Sequence, residues 1–409
     1  MRERRLRHQC LSGGVNKYLV GFRRRQIRAE KLAIDQAILW RLWYEAKAVM
    51  SLVTASIESL APYEAGKPVE ELARELGVTD AIKLASNENP MGPSPKAVLA
   101  VQQVLSQLHR YPDAATYTLR ERLSTKLAVP MNEILPGNGS NELLELLVGT
   151  FATPGHHIVF AEPAFVVYRL ASLSHGIPFT AVPLKRLTHD LEAMAEAIQP
   201  NTRIVFIANP NNPTGTHVGK SALEKFLREV PPEVIVVLDE AYIEYADAPD
   251  FPDGLALRHL RERLVITRTF SKIYGLAALR VGYLVAPPKL VDYVNRVRAP
   301  FNVSTVGQVA AIAALGDDEY VQQGRLLNGA ERRKLTNSLV ALGCKVAPSQ
   351  ANFVFVQLPC PAKGVYDALL RQGVITRLVG GIPNGLRITV GLANENIRLL
   401  GALAGVLKS

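Results

Sequence analysis

The sequence predicts an α/β fold: a large domain with a mostly parallel sheet flanked by helices, followed by a smaller α+β domain. Three observations predict it. Short β-branched runs recur that are apolar at every position, as strands covered on both faces must be. Amphipathic helical patterns separate them, the alternation of a sheet wound with helices on both sides. After about residue 300 long helical stretches take over, with only two further strand-like runs.

Taken in chain order, the pattern Asn141-Glu-Leu-Leu-Glu-Leu-Leu repeats apolar residues at helical spacing. Ile158-Val159-Phe160 reads as a strand, as do 203–208, 234–238 and 264–267, with a helix over 221–228 between them. Helical patterns then cover 306–315 and 325–342. Ala351-Asn-Phe-Val-Phe-Val and Leu386-Arg-Ile-Thr-Val are the last strand candidates. These elements set the expected boundaries: an N-terminal arm at 51–90, the large domain at 91–300 and the small domain at 301–409. Ligands favour the mouth between two such units.

The chain has 409 residues, 48% apolar and 21% charged, the composition of a globular protein with a sizeable core. No apolar run approaches the ~18–20 residues of a membrane span. Cys10, Cys344 and Cys360 lie far apart, which excludes a disulfide framework or a Cys-x-x-Cys site and fits a cytoplasmic protein. The net charge of +10 is unevenly placed: residues 1–50 carry +8 and the remainder only +2. The body is therefore nearly neutral, and no nucleic-acid partner is expected.

The first fifty residues contain RRLR, FRRRQIRAEK and AILWRLWYEAKAVM. They lack the apolar stretch and cleavage site of a secretory signal. Arg-rich, acid-poor character suits an organelle transit peptide, but Ser12 is the only serine before Ser51. A nucleic-acid arm would need a DNA-binding pattern that is not visible. The preferred reading is a basic extension outside the fold, with Met50 as the natural start.

In open α/β sheets ligands sit beyond the carboxyl ends of the strands. After 204–208 comes Asn209-Pro-Asn-Asn-Pro-Thr-Gly-Thr216, a turn whose two prolines stiffen the backbone. After 234–238 comes Asp239-Glu-Ala-Tyr242. Asp239 directly follows an apolar run, so it is expected to be buried, and a buried carboxylate needs a cationic partner. That partner is either a neighbouring arginine or a cationic heterocycle. After 264–267 comes Arg268-Thr-Phe-Ser-Lys272, then Gly275 and Arg280. A lysine at the end of a buried strand is a candidate Schiff-base former, since desolvation frees its amine. Upstream, Gly137-Asn-Gly-Ser-Asn141 opens a helix, an anion site suited to phosphate. Lysine, carboxylate, hydroxyl donors and phosphate cradle together match the needs of pyridoxal 5'-phosphate.

At this point the sequence resembles the histidinol-phosphate aminotransferases, within the fold-type-I pyridoxal-phosphate enzymes. The resemblance rests on LAPYEAGKP, KLASNENPMGPSP, HRYPD, LPGNGSNELLELL, EPAFVVYR, ANPNNPTGT, LDEAY, TFSKIYGLAALRVGY, SQANFV and LRITVG, from about residue 60 to the C-terminus. It implies catalytic roles for Lys272, Asp239 and Tyr242: cofactor attachment, ring-nitrogen partner and phenolate donor. Asn212 matches a second phenolate donor. Ser140, Asn141, Thr269, Ser271 and Arg280 match the phosphate cradle, Asn141 standing where relatives often carry Asp. Phe165 matches the ring-stacking aromatic, often Tyr. Tyr111 matches a tyrosine that reaches the neighbouring subunit's cofactor, which implies a homodimer with shared sites.

On the substrate side, Arg387 resembles the arginine that grips the α-carboxylate, and Arg377 a second arginine of the same pocket. Tyr63 and Asn87 resemble further substrate contacts. The segment between Arg377 and Arg387 is short. The activity implied is amino transfer between histidinol phosphate and 2-oxoglutarate, in histidine biosynthesis. An aromatic-amino-acid aminotransferase is the alternative. A threonine-phosphate decarboxylase or a transcription regulator with an aminotransferase-like domain ranks lower. His156 and His157 are adjacent and point to opposite faces of a strand, and no metal-ligand spacing occurs.

Overall fold

The computed structural model describes residues 52–62 and 66–408. The readings of the basic extension and of Tyr63 therefore fall outside the described residues. The chain divides into two units, Met1–Ser59 and Leu60–Ser409. In the first, the described part forms one helical turn, Ala55–Glu58.

The second unit carries the fold. Its strands are β1 (Ile82–Lys83), β2 (Ile134–Gly137), β3 (His157–Glu162), β4 (Phe179–Pro183), β5 (Thr202–Ala208), β6 (Ile235–Asp239) and β7 (Leu264–Thr269). Then come β8 (Gly282–Val285), β9 (Lys345–Val346), β10 (Phe353–Gln357), β11 (Val374–Ile375), β12 (Arg377–Leu378) and β13 (Gly385–Thr389). A seven-stranded sheet has the order β2-β8-β7-β6-β5-β3-β4, and only β8 runs against the others.

The continuous apolar runs of β5, β6 and β7 have a direct physical outcome. Val205, Ile207, Val236, Leu238 and Ile266 enter a core on one face, while Ile204, Phe206, Ile235, Val237 and Val265 enter a second core on the other. Each strand is thus buried on both sides, which parallel strands covered by helices require. The helix Gly139–Phe151 buries Leu143, Leu144, Leu147 and Val148 against the second core, and Lys220–Glu229 buries Leu223, Phe226 and Leu227 against the first. The helix Thr305–Leu315 is capped by Ser304, whose Oγ accepts from Gly307 N at 3.1 Å. Its Ala310, Ala311 and Ala314 are fully covered, and small residues let it lie close to the helix Pro95–Val104.

The C-terminal part forms an antiparallel sheet, β12-β13-β10-β9, packed with the helices Ala362–Arg371 and Ala393–Lys408. Three details differ from the sequence reading. The second long helix begins at Asp318, seven residues before 325, and β10 begins at Phe353, with Ala351 and Asn352 in the preceding bend. Residues 82–83, assigned to an arm, pair in parallel with β11. Ile82 N donates to Gly373 O and Leu84 N to Ile375 O, both at 2.8 Å. That pairing fixes the segment Ser86-Asn87-Glu88 beside the ends of the large sheet's strands.

Leu147→Ala is expected to cost about 2–5 kcal/mol of stability, the range for deleting a fully buried leucine. Glu145→Ala, on the exposed face of the same helix, should stay within about 0.5 kcal/mol. Denaturant midpoints of the two variants check this, and similar losses would contradict the assigned helix face.

Candidate active site

Several of the large sheet's strands deliver their following residues to one cavity of about 250 Å³. Strand β6 ends in Asp239, β7 leads through Thr269 and Ser271 to Lys272, and β5 leads to Asn212. The helix Gly139–Phe151 adds Ser140 and Asn141, and β13 and β12 add Arg387 and Arg377.

Asp239 is buried and accepts hydrogen bonds from Tyr168 Oη (2.8 Å, to Oδ2) and Thr267 Oγ1 (3.3 Å, to Oδ1). Among the described residues no cation forms an ion pair with it. Burial raises its carboxyl pKa against the lowering effect of those bonds. The sequence left two partners open for this carboxylate, and the arginine is excluded: Arg268 instead pairs with Glu240 (2.8 Å) and Asp253 (2.7 Å).

Lys272 reaches back across the cavity, where its Nζ donates to Ser86 O at 3.3 Å and lies 5.5 Å from the Tyr242 ring centre. Desolvation, with Arg387 and Arg280 nearby, lowers its pKa to about 8, although Glu88 and Asp239 pull the other way. More of this amine is therefore neutral near physiological pH than of a solvated lysine, which favours a nucleophilic role. Tyr242 is buried and its Oη accepts from Asn87 Nδ2 at 2.9 Å.

At the helix start the backbone must stay bare. A Cβ on Gly139, where φ is +78°, would stand 2.5 Å from Arg280 Nη2, and one on Gly282 would stand 2.5 Å from Ser140 N. Ser140, Thr269 and Ser271 are buried around this point, and Arg280 Nη1 donates to Ser271 Oγ at 3.4 Å. Free amides of a first helical turn, hydroxyls and a guanidinium make a site for an anion.

Arg377 and Arg387 are directly opposite each other in the β12–β13 ladder. Like charges in such a pair repel, so an anion placed between them is stabilised. Arg387 Nη1 donates to Asn212 Oδ1 at 2.6 Å, Nη2 donates to Ala85 O, and the guanidinium lies 5.5 Å from the Phe353 ring centre. Phe165 lines the same cavity with its ring edge-on to Tyr168 (5.9 Å, 85°).

With this geometry in place, comparison with known proteins is informative. The family profile described as aminotransferase class I and II matches residues 79–402. The chain belongs to the class I and II aminotransferases. Within that family, a histidinol-phosphate aminotransferase of Anaeromyxobacter sp. is 50% identical over 362 residues, 88% of this chain and 100% of the relative. One from Moorella thermoacetica is 47% identical over 366 residues, 89% of this chain and 95% of the relative. Among solved structures, the histidinol-phosphate aminotransferase of Sinorhizobium meliloti in complex with pyridoxal-5'-phosphate has a TM-score of 0.82 at 28% identity, covering 88% of this chain and 99% of that one.

The residues of this aminotransferase fit that cofactor. A buried carboxylate without a cation suits a protonated ring nitrogen, a low-pKa lysine suits a carbonyl carbon, and the bare helix start suits a phosphate. The structure gathers Ser140, Asn141, Phe165, Asn212, Asp239, Tyr242, Thr269, Ser271, Lys272, Arg280, Asn87, Arg377 and Arg387 around one cavity. Tyr111 is not among them: it is 82% exposed and stacks on Phe301 (4.7 Å).

Sequence reasoning missed Ser86, Glu88, Tyr168 and Thr267. Glu88 lines the cavity and pairs with Lys83 at 2.8 Å. Tyr168 carries a usable signal, one helical turn beyond Phe165 in EPAFVVYR. His157 is a satisfied core residue, its ring nitrogens each 2.9 Å from Thr202 and Thr180 hydroxyls. Among the described residues no group of three or more His, Cys, Asp or Glu is placed to hold a metal ion.

The raised pKa of Asp239 has a stability consequence. A group whose folded pKa lies above its unfolded value stabilises below the unfolded pKa and loses that contribution as pH rises through the folded one. Asp239→Asn should therefore melt higher than the parent in cofactor-free protein near pH 7, and the gain should vanish towards pH 4. Adding cofactor should reverse the order. Thermal melts across pH check this, and a variant less stable than the parent at neutral pH without cofactor would contradict it.

Proposed function

We propose that this aminotransferase moves an amino group between histidinol phosphate and 2-oxoglutarate, giving imidazole acetol phosphate and glutamate and running in either direction. The arrangement that carries the reading is Lys272 and Asp239 in one cavity with the opposed Arg377 and Arg387. Histidinol-phosphate aminotransferases at 47–50% identity over nearly their whole length support it.

When bound, pyridoxal phosphate supplies an electrophilic carbon for the amino group and a ring that accepts the electron pair released at the substrate carbon. Asp239 would be the partner of the ring nitrogen and would favour its protonated, electron-poor form. Tyr242 and Asn212 would donate to the phenolate oxygen. Phe165 would cover a ring face, and Ser140, Asn141, Thr269, Ser271 and Arg280 would hold the phosphate. Lys272 would serve as the base, its Nζ holding and moving the proton released at the substrate carbon. The keto product of the amino donor leaves before the acceptor enters, so the kinetics are ping-pong.

The same two guanidiniums bind the anionic end of each substrate: the phosphate ester of histidinol phosphate and a carboxylate of glutamate. Asn87 and Tyr63 belong on the substrate side. The proposed assembly is a homodimer in which Tyr111 reaches the neighbouring subunit's cofactor. Its exposure supports this, together with the exposed Leu105, Leu108 and Tyr117 nearby in the chain and the exposed Phe301 stacked on its ring. The proposed division of the chain is an arm at 51–90, a cofactor domain at 91–300 and a small domain at 301–409. A role in histidine biosynthesis carries with it a cytoplasmic location. No helix among the described residues is long and apolar enough to cross a membrane.

Arg387→Ala is expected to lower kcat/KM by about ten- to a hundred-fold for both histidinol phosphate and phenylalanine, the loss of a charged bidentate contact. Arg377→Ala should harm histidinol phosphate more, because a dianion gains more from a second guanidinium. Parallel rate measurements with the two donors check this. Equal losses at Arg377, or a parent enzyme faster with phenylalanine, would favour an aromatic-amino-acid aminotransferase.

A further inference from the structure

The hydroxyl of Tyr168 is the shortest side-chain contact of Asp239, and its surroundings leave it one orientation. The residue is fully buried, and its ring lies parallel to Phe206 at 4.7 Å and 6°. It also stands edge-on to Phe165 at 5.9 Å. Burial and the adjacent carboxylate raise its pKa far above the ordinary tyrosine value, so it remains a neutral donor. A neutral donor orients a carboxylate and favours its ionised form without cancelling its charge. An arginine or lysine at this place would have cancelled it and left nothing for a cationic ring nitrogen.

We propose that Tyr168 is a positioning residue for the cofactor ring: through its hydroxyl it keeps Asp239 ionised and aimed at the ring nitrogen, and through its ring it braces Phe165. Thr267, which donates to the other carboxylate oxygen, assists it. The inference rests on Asp239 being the ring-nitrogen partner.

The test measures binding of pyridoxal phosphate to cofactor-free protein, and of its deaza analogue, which has C–H in place of the ring nitrogen. Tyr168→Phe keeps the aromatic stack and deletes only the donor. Its dissociation constant for pyridoxal phosphate should rise about tenfold or more, the effect of losing a hydrogen bond to a charged group, and that for the deaza analogue much less. Thr267→Val should show the same selectivity with a smaller factor, and it serves if the tyrosine variant does not fold. Equal weakening of both ligands, or no weakening, in the folded variants would overturn the proposal. Asp239→Asn separates the two readings: if it too lacks selectivity for the ring nitrogen, the role of Asp239 has failed; if it is selective while Tyr168→Phe is not, only the role of Tyr168 has.

Discussion

A carboxylate buried at the end of a parallel strand, with hydroxyl donors and no cation, is the constraint around which this molecule is organised. Water cannot stabilise Asp239, and its two hydroxyl partners compensate its charge only in part. The protein alone therefore holds an unbalanced charge, which a cationic heterocycle in the cavity would balance. Lys272 adds a second one, an amine whose proton is loosened by desolvation and by two arginines. Stability given up by gathering these groups would be recovered on cofactor binding, a trade found where sites are strained for function.

The fold explains how such a site can exist. Apolar residues on both faces of β5, β6 and β7 bury the sheet, and only the strand ends are left to carry polar chemistry. Asp239 and Thr269 occupy the ends of adjacent strands, and Lys272 follows three residues later. The short β1–β11 pairing then brings Ser86, Asn87 and Glu88 over the same opening. Rigid elements thus set where the chain enters the opening, and the short segments that follow them carry Asn212, Lys272 and Ser86-Asn87-Glu88.

Much of this was legible in the chain, for identifiable reasons. Asp239 and Lys272 each follow a run of buried apolar residues, so their placement could be read before any coordinates. The helix at Gly139 announced itself through glycines followed by a leucine repeat. Other features had no local signal. Strands β1 and β11 are two residues long, too short to show a period, so their pairing and the placement of Glu88 were hidden. The edge strand β4 is only half-buried and ends in Pro183. Tyr168 had only its helical spacing from Phe165 to mark it, and only the fold brings its hydroxyl to Asp239. Tyr111 lies away from the cavity of its own chain, exposed and stacked on Phe301, a placement that its motif alone does not reveal.

The central claim is that Lys272 is the residue through which the cofactor is held covalently. Borohydride reduction of the holoenzyme followed by peptide mapping tests it most directly. The account predicts the pyridoxyl group on the peptide that contains Lys272, with no fixed cofactor in Lys272→Ala. Label on another lysine, or undiminished fixation in that variant, would contradict it.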